Sequence, residues 1–456
     1  MVFSSLAFLC VFLPAFLVVY ALLPRWRNAV LVLFSLVFYA YGQPIWVLAP
    51  LIFSGALSYA LGRVMARRPD RRKLALVVSV AVNLGLLAAI KYSGFVVVNL
   101  NAAFHLSLAV PTFSLPVGIS FYTFQVLSYT IDVYRGKSQP QRSFVAYMSY
   151  VTMFPKLVQG PIARYADVET QLARPQIKSA EFSDGVSRFC GGLAKKVLLA
   201  NSAGLACDTL LGGGKLTAAG AWLGVAFFAF QIYFDFSGYS DMAIGLGKMI
   251  GFNFPENFND PYVARSATDF WRRWHISLST FFRDYVYIPL GGNRRFQARN
   301  IIIVWLLTGL WHGASWNFIL WGAYFAVVLL IEKFALLRVL ERLPRVIGHL
   351  YGVFIILIGW AIFYFTDISR LGAFFSAAFG GAAATDFRAT STLQANALLL
   401  PVLVLFSTSL PRIIGKKFAK FYEYPIFSAV RNVVLFALSF IAIVGNTYSP
   451  FLYFKF

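Results

Sequence analysis

Long apolar segments dominate this sequence and decide what it can fold into. A membrane-spanning helix needs about 20 mainly apolar residues. Of the 456 residues, 59% are hydrophobic and only 13% are charged, whereas a soluble domain has roughly 25% charged residues. The composition excludes an ordinary water-soluble enzyme and predicts an all-α polytopic membrane protein with about 11 transmembrane helices. The candidate spans are 4–23, 28–42, 45–62, 73–90, 115–133, 186–210, 217–250, 300–331, 346–366, 393–411 and 426–446.

Two of these segments, 217–250 and 300–331, are too long for one simple span, and each is predicted to be a hairpin or a broken helix. The first segment is followed by Arg25 and Arg27 and lacks a basic stretch before it. We therefore interpret it as a first span and not as a cleaved signal peptide.

The charge is strongly positive, with 40 Lys and Arg against 18 Asp and Glu, a net charge of +22. In a soluble protein this excess would suggest nucleic acid. Here the basic residues cluster in alternate loops, which is typical of the positive-inside bias and of contact with anionic membrane lipids. The pattern predicts no nucleic-acid partner, a multi-pass topology with the N-terminus outside, and basic loops in the cytoplasm.

Residues 143–299 differ from the rest, because Pro, Gly, aromatic and charged residues interrupt apolar pieces that are too short to span. Irregular backbone at membrane depth is tolerated only inside protein or beside a water-filled cavity. We therefore expect re-entrant and interfacial helices and a polar cavity in one membrane domain, 1–456. Its parts would be N-terminal spans (1–142), a catalytic core (143–332) and C-terminal spans (333–456).

His312 lies inside the apolar run 300–331. A helix from residue 300 rises ~18 Å before it reaches His312, which places the imidazole past the middle of a membrane and near the tip of a hairpin. An ionisable residue there indicates a function, such as a general base or proton shuttle. The alternative is a neutral histidine that links two helices by hydrogen bonds.

His275 follows Arg272 and Arg273 in an amphipathic, Trp-rich segment. The two arginines could hold phosphates or a carboxylate, and the alternative is a surface helix anchored by Trp and Arg. The other histidines, His105 and His349, are predicted to be solvent-exposed, in or beside loops.

Asp235 and Asp241 lie in the apolar run 217–250. Acids there should face a cavity or a basic partner. They could orient an imidazole, pair with Arg272 or Arg273, or form a structural salt bridge.

The nucleophile-elbow, Walker and zinc-protease motifs are absent, and no acid follows His275 or His312 within five residues. The three cysteines lack metal-ligand spacing. The sequence predicts no metal site, no bound cofactor and no disulfide framework.

Taken together, several ordered motifs resemble the MBOAT family of membrane-bound O-acyltransferases. The likeness is to the bacterial branch with the alginate O-acetyltransferase membrane subunit and the teichoic acid D-alanyl transfer protein. The motifs are 1–5, 115–122, 159–161, 233–242, 256–258, 270–279, 283–285, 290–294 and 309–313.

The resemblance implies a ring of tilted helices around a central tunnel, in the bacterial cytoplasmic membrane. It implies that His312 is the catalytic histidine and His275 the second family histidine. Asp235, Ser237, Tyr239 and Asp241 would line the tunnel, together with the substrate-binding residues Arg272 and Arg273. Asn317 or Ser315 would stabilise the oxyanion.

The implied reaction takes an acyl group from a cytoplasmic thioester donor, acetyl-CoA or another thioester. An SGNH-hydrolase-type partner outside the membrane would pass it to an exported polysaccharide. Alginate, another exopolysaccharide, cellulose and peptidoglycan all remain open as acceptors, and D-alanyl transfer is less favoured. A transporter or channel with a proton relay, and a structural subunit of an export complex, are the alternatives of other classes.

Overall fold

The computed structural model describes residues 1–417 and 425–445. Within these ranges the chain forms helices and turns and no β-strand, which confirms the predicted all-α class. The described residues fall into two compact units. The first comprises 1–190 and 239–256, and the second comprises 191–238 and the described residues from 257 onwards.

The first unit contains ten α-helices of very different lengths. They are α1 Leu13–Leu22, α2 Arg27–Ala40, α3 Leu48–Arg67, α4 Arg72–Lys91, α5 Ser93–Phe104, α6 Ile119–Tyr134, α7 Phe144–Thr152, α8 Phe154–Leu157, α9 Tyr165–Ala173 and α10 Ser179–Ala194, which continues into the second unit.

Helices α3, α4 and α6 pack on one another through small and polar residues. Ser79 donates to Thr130 over 3.1 Å, and Asn83 donates to Ser58 over 3.3 Å. Gly62 of α3 leaves room for the Tyr129 side chain of α6. Small residues and interhelical hydrogen bonds are what membrane helices use to associate, since lipid supplies no hydrophobic driving force between them.

The second unit contains the remaining described α-helices. They are α11 Asn201–Leu211, α12 Ala218–Met249, α13 Ala267–Trp271, α14 Ile276–Phe282, α15 Gln297–His312, α16 Trp316–Ile331, α17 Leu337–Arg342, α18 Arg345–Tyr364, α19 Ile368–Ala378, α20 Phe387–Ala395, α21 Leu399–Phe406, α22 Leu410–Lys417 and α23 Pro425–Gly445. Helix α12 ends in the first unit.

The two apolar segments that are too long for one simple span fold differently from each other. For the run 217–250 the expected hairpin or broken helix is wrong, because α12 is one continuous helix of 32 residues, about 48 Å long. Its interior lacks proline, so nothing in the sequence forces a break. For the run 300–331 the hairpin is confirmed, since α15 and α16 pack together on either side of residues 313–315. Gly309 allows their backbones to approach, because a Cβ there would collide with the Phe318 carbonyl.

By length and apolar composition, five described helices could cross a membrane, or up to seven if each of two bent helix pairs is one span. The prediction of about 11 crossings, the central tunnel and the three-part division of the chain stay predictions. The region 143–299 does contain short helices, such as α7, α8, α13 and α14, as its composition predicted.

Candidate active site

His312 is the last residue of α15, immediately before the short connection to α16. Its half-buried imidazole is surrounded by aromatic rings, with centroid distances of 4.9 Å to Trp311, 5.0 Å to Trp321 and 5.2 Å to Phe363. The tip of the hairpin therefore holds an ionisable ring against a rigid aromatic wall, in the position along the hairpin that the sequence predicted.

His275 precedes α14 in a left-handed conformation with φ of +45°, and it is buried. Its Nδ1 lies 3.1 Å from Oδ1 of Asn257, and the same Oδ1 accepts hydrogen bonds from the backbone N–H and the hydroxyl of Ser277. Because these donors identify the acceptor as the amide oxygen, His275 carries its proton on Nδ1, and Nε2 is its basic nitrogen.

Burial lowers the pKa of His275, which lies outside the candidate membrane spans, to about 3. Desolvation disfavours the charged imidazolium, so this histidine is neutral at physiological pH.

Both histidines line one cavity of about 250 Å³ in the second unit. The indole of Trp311 packs against both imidazoles, with centroid distances of 5.8 Å to His275 and 4.9 Å to His312. The cavity is largely aromatic, and its polar lining consists of Thr268, Arg272, Ser279, Arg283, Tyr287 and Thr308, beside the two histidines.

Helix α13 supplies part of the cavity wall, and Glu332 binds the N-terminus of this helix. The buried carboxylate accepts hydrogen bonds from the backbone N–H of Ala267 at 2.6 Å and of Thr268 at 2.7 Å, and from the Thr268 hydroxyl at 2.6 Å. A carboxylate is a favourable partner for the free N–H groups of a helix start. The sequence reasoning missed the role of Glu332 at this helix start, because Ala267 and Thr268 lie more than 60 positions away from it.

The adjacent arginines Arg272 and Arg273 have different surroundings. Arg272 lines the cavity. The Nε of Arg273 binds Oδ1 of Asp269 over 2.8 Å, one helical turn earlier. Arg273 does not line the cavity.

The cavity has a cationic rim. Arg272 and Arg283 are exposed, and Arg283 also contacts Asp284 over 2.7 Å. Burial and the positive charge of Arg272 lower the pKa of the Lys333 ammonium, which donates to Asn293 over 3.0 Å. Positive potential at a cavity mouth attracts anionic ligands.

Asp235 forms a buried ion pair with Lys196, at 2.5 Å, with both side chains 3% exposed. Of the open alternatives for Asp235, the structure therefore shows a basic partner that is neither Arg272 nor Arg273. The sequence reasoning missed Lys196, although a lysine inside an apolar run was the available signal. Ser237, two residues further along the second-unit part of α12, is buried, and its hydroxyl has no hydrogen-bond partner among the described residues.

The first unit contains the other half of the predicted tunnel motif. Asp241 accepts from Arg188 over 2.9 Å, and Arg188 also binds Glu256 over 2.5 Å. The buried ring of Tyr239 stacks on Phe3, with a centroid distance of 4.7 Å. The tunnel-lining role of these residues stays a prediction.

Asn317 is buried at the start of α16, and its side-chain N–H₂ points to the carbonyls of Ile362 (3.5 Å) and Phe363 (3.2 Å). Its donors are thus engaged, and the remaining amide oxygen is an acceptor. The indole N–H groups of Trp271 and Trp321 are buried and have no acceptor among the described residues. Trp271 lines the cavity and Trp321 contacts His312, so indoles are the more available oxyanion donors.

The remaining histidines lie outside this cavity. His105 is exposed at the end of α5, as predicted. The expectation that His349 is solvent-exposed is wrong, because it lies within α18, half-buried, with Nδ1 3.2 Å from the carbonyl of Ala264. Helix α18 begins at Arg345, before His349, so the imidazole lies on a helix and packs against a neighbouring segment.

The part of the chain that contains this cavity is similar in sequence to known proteins. The model of the MBOAT, membrane-bound O-acyltransferase, family matches residues 139–366. The chain is 37% identical to the probable alginate O-acetylase AlgI of Azotobacter vinelandii, over 100% of both chains. It is 42% identical to the protein of that name from Pseudomonas aeruginosa, over 89% of this chain and 81% of the relative. A peptidoglycan O-acetyltransferase of Helicobacter pylori is 32% identical, over 80% of this chain and 77% of the relative. The region matched by the family model contains the whole lining of the cavity.

Proposed function

Because this chain belongs to the MBOAT family of membrane-bound O-acyltransferases, we propose that it transfers an acetyl group from a cytoplasmic thioester to an exported polysaccharide such as alginate. The single observation that carries the proposal is the cavity that His275 and His312 share within the family region. The relatives named as O-acetylases and O-acetyltransferases support acetyl as the transferred group.

In the proposed reaction, His312 is the general base. It removes the proton from an acceptor hydroxyl while the oxygen attacks the thioester carbonyl, so that a C–O bond forms and the C–S bond breaks. The proton then passes from the imidazole to the leaving thiolate. The neutral His275 supplies a second basic nitrogen in the same cavity, held in one tautomer by Asn257.

Negative charge develops on the carbonyl oxygen during the attack. The indole N–H groups of Trp271 and Trp321 support oxyanion stabilisation, because buried donors without a partner need no reorganisation when the charge appears. Asn317 remains part of the proposal as a support for α16 beside His312, through its hydrogen bond to Phe363.

The proposed donor is acetyl-CoA, and the cationic rim supports it. Arg272 and Arg283 offer guanidinium groups that suit phosphate oxygens, and Arg273 supports the rim through its pair with Asp269. The chain itself would hold no cofactor, since the thioester is consumed as a substrate.

We place the reaction in the bacterial cytoplasmic membrane, with the N-terminus outside and the basic loops inside. The alternating basic loops support this orientation. An SGNH-hydrolase-type partner outside the membrane would receive the acetyl group and deliver it to the polysaccharide. The whole-length match to an alginate O-acetylase supports alginate over peptidoglycan as the acceptor class.

The test measures release of free CoA from acetyl-CoA by the purified protein in proteoliposomes, and acetylation of polymer in cells. His312→Ala is expected to reduce both by about 10²–10⁴-fold, the usual contribution of a general base. His349→Ala, a histidine outside the cavity, serves as the matched control and should stay within about threefold of the wild type. Undiminished acetylation with His312→Ala at normal expression would exclude the role, and absence of thioester cleavage by the wild type would favour a transporter.

A further inference from the structure

A second cavity, in the first unit, is lined by arginines and lies outside the histidine site. It has a volume of about 640 Å³, and its lining includes Arg63, Arg67 and Arg68 from the end of α3 and Arg142 from the segment before α7. Tyr59 and Val64 supply part of the remaining wall. Four arginines from two distant stretches of the chain thus line one cavity.

The arrangement is held by a specific contact between these stretches. The Tyr59 hydroxyl donates to the backbone carbonyl of Arg142 over 2.7 Å, and the Tyr59 ring packs on Phe144 with a centroid distance of 5.3 Å. The position of Arg142 beside the end of α3 is therefore fixed by packing.

The four guanidinium groups have no carboxylate partner among the described residues. Other arginines of this unit are engaged internally, since Arg27 donates to the carbonyl of Pro175 over 2.6 Å and Arg72 to that of Tyr134 over 2.8 Å. Like charges that converge without a counter-charge repel one another, and a bound anion would offset this cost. Membrane orientation requires basic residues in a loop but not their convergence on one cavity.

We propose that this cavity binds the phosphate-bearing headgroup of an anionic phospholipid. Three observations support a lipid. The arginines lie at the end of Ile45–Arg67, a candidate membrane span, where headgroups are found. The same helix exposes Ile52 and Phe53, which can pack along acyl chains. The volume exceeds that needed for one phosphate group and suits a headgroup with its glycerol.

The test measures binding of phosphatidylglycerol to the full-length protein in nanodiscs of a neutral lipid. Binding of phosphatidylcholine, measured in the same way, is the neutral comparison. The triple variant R63Q/R67Q/R68Q should bind phosphatidylglycerol on the order of 100-fold more weakly, at about fivefold per arginine. The variant R63K/R67K/R68K keeps the charge and should retain binding within about tenfold, which excludes misfolding as the cause.

The matched control is R338Q/R342Q/R345Q, which removes the same charge from exposed arginines of the second unit and should change binding by less than about threefold. Equal binding by the wild type and the cavity variant would overturn the proposal, and so would equal loss in the control. Orthophosphate and CoA are separate probes. Binding of either that depends on these arginines, without binding of phosphatidylglycerol, would assign the cavity to a soluble phosphate and overturn the lipid.

Discussion

The imidazoles of His275 and His312 pack against one indole, that of Trp311, with ring-centroid distances of 5.8 and 4.9 Å. The two histidines are 37 positions apart, and the spacing between their rings is set by a residue that neighbours one of them in sequence. Trp311 is buried, and His275 also has the Phe236 ring at 4.7 Å. The two basic groups of the cavity are therefore fixed by aromatic packing.

Replacement of Trp311 by Ala should disturb this spacing while both histidines remain. We expect the rate of acetyl transfer to fall by about 10–100-fold, because a small misplacement of catalytic groups has effects of this size. Trp311→Phe keeps a ring and should lose less. Trp26→Ala removes an exposed tryptophan and is the control. Normal turnover by Trp311→Ala in the CoA-release assay would show that the indole does not position the histidines.

The buried, neutral His275 should make the protein sensitive to acid. Its folded-state pKa is about 3, below the unfolded value of about 6.5, so below pH ~6.5 the unfolded chain binds a proton that the folded chain does not. Stability is therefore fully present above pH ~6.5 and falls with decreasing pH, by about 1.4 kcal/mol per unit from this group alone. Melting temperatures in detergent between pH 7 and pH 4 measure the effect.

The control for the acid effect is His275→Gln, which has no proton to bind. Its stability should depend less steeply on pH than that of the wild type. If both proteins lose stability in parallel, another group causes the acid sensitivity.

The buried pair of Lys196 and Asp235 should be sensitive to the loss of either partner. Lys196→Met or Asp235→Asn alone removes one partner of the buried ion pair and leaves the other charge buried, at a cost of about 3–5 kcal/mol. The double variant Lys196→Met with Asp235→Leu should recover much of this loss. Thermal unfolding in detergent measures all three, and Asp70→Asn, which breaks the exposed pair with Arg71, should have almost no effect. Single variants as stable as the wild type would contradict a structural role for this pair.

Arg272 and Arg273 should contribute unequally to donor binding. Arg272→Gln removes a charge from the cavity lining and should raise the KM for acetyl-CoA by about 10-fold, as expected for a charged contact to phosphate, with kcat less affected. Arg273→Gln disturbs the pair with Asp269 and should have a smaller effect on KM. Steady-state kinetics at two ionic strengths distinguish them. Equal effects of the two variants would argue against a donor site on the Arg272 side.

Some of this site could be predicted from the sequence. The tip position of His312 followed from the length of the apolar run and the fixed rise of a helix, and the hairpin was confirmed. The sequence predicted that Asp235 has a basic partner. It did not identify that partner as Lys196, because 39 positions separate the two residues in sequence. The form of helix α12 could not be predicted, because the length of an apolar run alone does not distinguish one long helix from two shorter ones.

By itself, the sequence determined the all-helical membrane class, the family and the histidines, because apolar length, charge placement and ordered motifs are local properties of the chain. Tertiary structure decided which of two adjacent arginines lines the cavity, that Asn257 holds His275, and that Glu332 holds the start of α13. It also brought four arginines to one concavity. These relationships depend on packing between distant segments, and only the folded chain specifies that packing.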